Sequence, residues 1–142
     1  MLHVFLSCIL LFALGAPAWS AEPPGPVAQM MTLTEGVVYR VAQLNDRQLA
    51  AEPAPTLTLD KESGRLSGFS GVNRYGGGYT RTGDQLMGGQ MMSTLMAGDA
   101  AAMAIEQDFL QLMAEPLTIS ATASGVEMRN AKGFMRLVPQ EK

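Results

Sequence analysis

One cysteine, one histidine and one tryptophan occur in the 142 residues, and all three (Cys8, His3 and Trp19) lie within the first twenty positions. A chain that sheds this segment keeps neither thiol nor imidazole. It could not build a Ser-His-Asp triad, a Cys-His pair, a zinc finger or a thiol redox centre. Basic charge is scarce as well: 10 Lys and Arg stand against 13 Asp and Glu, a formal net charge of −3. Nucleic-acid binding needs clustered cations that release counterions from phosphates, so the composition excludes it.

The one long apolar run, Val4 to Ala18, is too short to cross a bilayer comfortably and breaks at Pro17. Ala18-Trp19-Ser20 then has the small-x-small pattern of a signal-peptidase site, which predicts a signal peptide over 1–20 and cleavage after Ser20. No Lys or Arg precedes the run. The expectation is a periplasmic or secreted protein with no stable membrane span after cleavage. Lipid anchoring through Cys8 is disfavoured, because Phe5-Leu6-Ser7 is a poor lipobox and the apolar core follows the cysteine. Pro23, Pro24 and Pro26 remove backbone donors and favour extended chain, so residues 21–31 read as a flexible leader and 32–142 as a single domain.

Within that domain, apolar residues alternate with a period of two in several short runs, the spacing that turns one face of a strand to a core. Val37, Tyr39 and Val41 share a face, as do Leu57 and Leu59; Leu117, Ile119 and Ala121; and Val126 and Met128. Phe134 to Val138 reads as a closing strand. Ser63-Gly64, Thr82-Gly83-Asp84 and Asn130-Ala131-Lys132-Gly133 supply hairpin turns, since Gly accepts the positive φ such turns require. A helix is predicted over 100–114, where Ala102, Ile105, Phe109, Leu112 and Met113 recur at three- and four-residue spacing, with Glu106, Gln107, Asp108 and Gln111 elsewhere on the wheel. Asp99 is the expected N-cap and Pro116 the stop. Hairpins without a strand-helix-strand repeat predict an α+β fold: a single curved antiparallel sheet with one packed helix.

The most specific words lie mid-chain: Gly64-Arg65-Leu66-Ser67-Gly68-Phe69-Ser70-Gly71-Val72-Asn73-Arg74-Tyr75-Gly76-Gly77-Gly78-Tyr79, then Ser93-Thr94-Leu95-Met96-Ala97-Gly98, then Glu106-Gln107-Asp108-Phe109-Leu110. In order and spacing they resemble the META domain, the family of the bacterial heat-shock protein HslJ, over about residues 33–138. The resemblance marks Gly71, Asn73, Arg74, Tyr75, Tyr79, Thr94 and Met96 as family-motif residues with structural roles. Val72 and Gly98 stand where the family carries Cys. Because a lone thiol is a liability in an exported protein, the resemblance implies that the two cysteines were lost as a bonded pair, and hence that Val72 and Gly98 are neighbours.

Taken as chemistry, these residues offer little. Asn73 follows a Gly-rich strand end, where its side chain shapes a turn. The Arg74 guanidinium could either bridge local carbonyls or contact an anionic ligand. Gly76-Gly77-Gly78 lacks the Lys-Ser/Thr and the helix of a phosphate loop. Met87, Met91, Met92, Met96 and Met103 could suit Cu(I), but Met also fills irregular cores, and core packing is the expectation. No catalytic, cofactor-binding or metal-binding residue is predicted. The resemblance implies an exported non-enzymatic envelope protein in stress tolerance or envelope assembly, with an envelope protein as partner. The alternative is a binder of an acyl chain or hydrophobic peptide in an apolar cleft, ahead of a Met-based Cu(I) carrier or an enzyme built from carboxylates, Arg or Tyr.

Overall fold

The computed structural model describes residues 32–141, so the expected signal peptide and the Pro-rich leader lie outside the described residues. Nine strands are formed: β1 (Tyr39–Leu44), β2 (Arg47–Gln48), β3 (Thr56–Asp60), β4 (Arg65–Phe69), β5 (Arg74–Thr82), β6 (Gln85–Ser93), β7 (Leu117–Ala121), β8 (Val126–Asn130) and β9 (Gly133–Pro139). The single helix among the described residues, α1 (Ala100–Met113), separates β6 from β7. Every pairing is antiparallel, and neighbours in sequence are neighbours in the sheet from β3 to β9.

The sheet closes on itself. β1 pairs with β3 on one side and with β9 on the other, in a register running from Tyr39 opposite Pro139 to Leu44 opposite Met135. The two-residue β2 hangs off β1. Asn45, at φ 50°, pins the seam through its turn: its amide donates to the Phe134 carbonyl at 2.9 Å and its Oδ1 accepts from Phe134 N at 3.0 Å. The architecture is therefore a mostly β, eight-stranded antiparallel barrel with one short helix. This overturns the expected α+β fold with an open curved sheet. The physical reason is range: closure depends on β1 meeting β9 at the far end of the chain, and period-two alternation reports only which face of a strand is buried.

An eight-stranded barrel is just wide enough for side chains to fill. Tyr39, Val41, Leu44, Leu57, Leu59, Leu66, Leu86, Met128, Met135 and Leu137 fill it, each almost entirely removed from solvent. The predicted strand faces supply half of this set, Met135 and Leu137 fall in the predicted closing strand, and the predicted turns are present, with Gly64 and Gly83 at positive φ. β5 and β6 left a weaker trace in the sequence, because Gly76, Gly77, Gly78, Gly88 and Gly89 carry no side chain to alternate.

Helix α1 begins as expected, with Asp99 capping the Ala102 amide at 2.9 Å, and its buried residues are Glu106, Phe109, Leu112 and Met113. It crosses one mouth of the barrel. The Phe109 ring meets Tyr75 of β5 edge-to-face at 5.3 Å, Asn130 Nδ2 at the end of β8 donates to the Leu112 carbonyl at 2.9 Å, and Asp108 pairs with Arg47 of β2. β6 reaches β7 only through Gln85 and Leu86, so among the described residues its stretch from Met87 to Ser93 has a strand on one side alone.

The β4–β5 loop and the segment leading into α1 meet beneath the helix N-terminus. A Cβ placed on Gly98 would lie 3.5 Å from the Val72 Cβ and 2.6 Å from its Cγ2. The first distance falls in the range of about 3.5 to 4.5 Å seen across disulfides. The implied proximity is met, and Gly98 has no left-handed φ to oppose a side chain. The double substitution Val72→Cys with Gly98→Cys removes the clashing methyl and should form a crosslink under oxidising conditions, raising stability by about 3 kcal/mol on the chain-entropy account. Thermal melts with and without reductant measure it. Gly98→Cys alone should destabilise.

Candidate functional site

The site is built on four residues that leave β4 and enter β5. Gly71, at φ +129°, brings its backbone against the helix: a Cβ there would sit 3.2 Å from both the Ala102 carbonyl and the Glu106 amide. That close approach delivers the loop amides to the Glu106 carboxylate. Glu106 Oε2 accepts from Asn73 N at 2.7 Å, Val72 N at 3.1 Å and Ser70 Oγ at 2.7 Å, and Oε1 accepts from Asn73 Nδ2 at 2.8 Å. Burial pushes this carboxyl up, but the bonds from Ser70, Asn73 and Val72 outweigh it and hold the group below the ordinary range. Glu106 opens the third of the family words, but it carries no predicted role and is expected elsewhere on the wheel. Its place was nonetheless visible, four residues after Ala102 and three before Phe109, on the buried stripe and not elsewhere on the wheel.

Asn73 extends the clamp to the next segment. Its side-chain amide pairs with Met96 as a neighbouring peptide group would, Oδ1 accepting from Met96 N at 2.6 Å and Nδ2 donating to Met96 O at 3.0 Å. The Thr94 hydroxyl donates to the same Oδ1 at 2.8 Å and accepts from Arg74 N at 3.1 Å. Ser70 completes the loop, its amide donating to Asn73 O at 2.8 Å. Ser70, Asn73 and Glu106 are all buried, and among the described residues no buried side-chain nitrogen or oxygen lacks a partner.

Of the motif residues, the structure gathers Gly71, Asn73, Thr94 and Met96 into this clamp. Tyr75 lies just inside it, its hydroxyl donating to Thr56 O at 2.7 Å and its phenol pushed well up by burial. Arg74 contributes backbone only: its side chain is exposed and makes no hydrogen bond or ion pair among the described residues. Tyr79 stands apart on β5, beside Glu35 and Arg81, with its phenol raised by burial and by the nearby Glu35 and Asp60 charges against the opposing Arg81.

The methionines depart most from expectation. Of the five clustered methionines only Met91 packs against the core, whereas Met87, Met92, Met96 and Met103 are 54, 76, 61 and 37% exposed, and Leu95 is 98% exposed. Leu95, Met96 and Met103, with Ser93 and Leu110, border a notch of about 370 Å³ directly over Asn73 and Glu106. The polar groups of the clamp therefore face inward and an apolar lip faces out. A larger recess of about 660 Å³ lies elsewhere, between Ala51-Glu52 and the C-terminal residues Val138–Glu141.

Replacing Glu106 by Gln should cost about 3 kcal/mol at neutral pH, because one charged acceptor serves three donors through Oε2 and the amide nitrogen would oppose Asn73 Nδ2. A depressed folded-state pKa gives stability that is complete above the unfolded value of about 4.3 and lost as pH falls through the folded value. The gap between wild type and Glu106→Gln should accordingly be full at pH 7 and narrow below pH 4, as read by urea denaturation.

A family model for the META domain matches residues 31–141. No curated protein matches the chain. Two solved NMR structures share the fold. One, from Burkholderia xenovorans, is 21% identical, aligns over 90% of this chain and 99% of its own, and superposes with a TM-score of 0.61. The other is 15% identical over 72% of this chain and 87% of its own, with a TM-score of 0.60. At those identities they speak to the fold alone. The family match spans the whole barrel and its helix, including the loop, linker and helix words that fold into one clamp, and the chain belongs to the META domain family.

Proposed function

We propose that this META domain is an exported, non-enzymatic module of the cell envelope that serves stress tolerance or assembly by holding an extended, uncharged segment of another envelope protein. The observation that carries this reading is the stretch from Gln85 to Gly98. It contains no charged residue and no proline, its strand part has a free edge beyond Leu86, and it presents Met92, Leu95 and Met96 to solvent. Proteins ordinarily guard such edges with Lys, Pro or coverage. An unguarded edge beside an apolar notch suits strand addition, in which main-chain bonds give affinity and alternate side chains find pockets. The absence of charge within this stretch favours a partner segment without charge along it.

An acyl chain would call for enclosed apolar space, and the barrel interior is occupied by its own core. Copper binding would call for converging sulfurs, yet Met91 turns its sulfur towards Gly77 in the barrel wall while Met92 faces outward. Arg74, exposed close to the clamp, is the residue most suited to add an anionic contact at the rim.

The test is complementation at elevated temperature in a strain lacking the gene, using Leu95→Asp with Met96→Asp. Both side chains are exposed, so the melting temperature should stay close to that of wild type. The variant should nevertheless fail to restore tolerance. Full restoration, or recovery of the protein in the cytoplasmic fraction, would overturn the reading.

A further inference from the structure

Met96 and Met103 border the notch and Met92 is exposed on the adjoining strand β6, all at positions where Leu would give the same apolar surface without reactivity. We propose that these three thioethers are a modification site for peroxide, and that their oxidation switches the lip from apolar to polar. This rests on the docking reading above and assigns its regulation. The chemistry is a two-electron oxygen transfer: the sulfur lone pair attacks one peroxide oxygen, the O–O bond breaks, an S–O bond forms, and the second oxygen leaves as water with both protons. The thioether becomes a sulfoxide and hydrogen peroxide is reduced to water.

Two observations give the site its selectivity and its leverage. The chain carries its own contrast, since Met113, Met128 and Met135 are sealed in the core at 2, 0 and 0% exposure while the lip methionines are open. The Met103 sulfur is also engaged in the fold, accepting the Gly98 amide at 3.4 Å in the segment that Asn73 grips at Met96. An oxygen added to that sulfur enlarges and polarises the group that meets the Gly98 amide, ahead of the helix cap. Oxidation of Met92 and Met96 changes the polarity of the surface, and oxidation of Met103 changes the shape of the linker that bears it.

The experiment treats the folded protein with hydrogen peroxide, follows oxygen addition at each methionine by peptide mass spectrometry, and follows the lip by fluorescence of a bound apolar dye. Met92, Met96 and Met103 should oxidise at least tenfold faster than Met113, Met128 and Met135, and dye binding should fall with them. Methionine sulfoxide reductases should restore it. The triple variant Met92→Leu, Met96→Leu and Met103→Leu should bind dye before peroxide and keep it afterwards. Simultaneous oxidation of core and lip, dye binding that is absent before treatment or indifferent to it, or an equal loss in the triple variant would overturn the proposal. Failed complementation by Leu95→Asp with Met96→Asp, together with dye binding that ignores peroxide, would retain the docking site and reject its regulation.

Discussion

A single carboxylate, that of Glu106, ties the helix to the barrel, and the geometry of the whole upper end depends on it. It accepts four donors from the loop between β4 and β5, two of them backbone amides that no strand partner could reach. Buried amides without acceptors cost about 1 to 3 kcal/mol each, so the loop can take this path only with an acceptor beneath it. Burial normally disfavours a charged carboxyl, and here the converging donors reverse that preference. The charge and the loop conformation hold one another in place.

From that bond the rest of the site follows. With the loop fixed, Asn73 presents its amide to Met96 and Thr94, which in turn fixes the segment between β6 and α1. With the helix fixed, Phe109 seals the mouth against Tyr75, and past Leu86 β6 has β5 as its one strand partner among the described residues. The apolar lip is thus a consequence of the clamp. Polar side chains that might have covered the notch are engaged below it, and what remains to face solvent is Leu95 and the methionines. The arrangement is held by hydrogen bonds inside and is apolar outside.

Local physics was legible in the chain and global closure was not. The Asp99 cap, the helix span, the turns at Gly64 and Gly83 and the buried faces of β3, β7 and β8 could all be read from spacing, because each is decided within a few residues. Closure depends on Tyr39 to Leu44 meeting Met135 to Pro139, a pairing that no window of sequence contains, and so a barrel read as an open sheet. The family words contained both the clamp loop and Glu106, but the carboxylate was given no role because one on a helix is usually solvated. The methionines were expected in the core because Met fills irregular cores, but β6 buries Leu86 and turns Met87 and Met92 outward, which its Gly-interrupted sequence did not reveal.

The account turns on Glu106 being ionised and bonded while buried. The most direct measurement is a pH titration of the Glu106 side-chain carboxyl carbon by NMR in the folded protein. The clamp predicts a midpoint below the ordinary glutamate value of about 4.3. A midpoint at or above that value would mean that desolvation wins, that the loop amides are not held by this carboxylate, and that the site rests on something else.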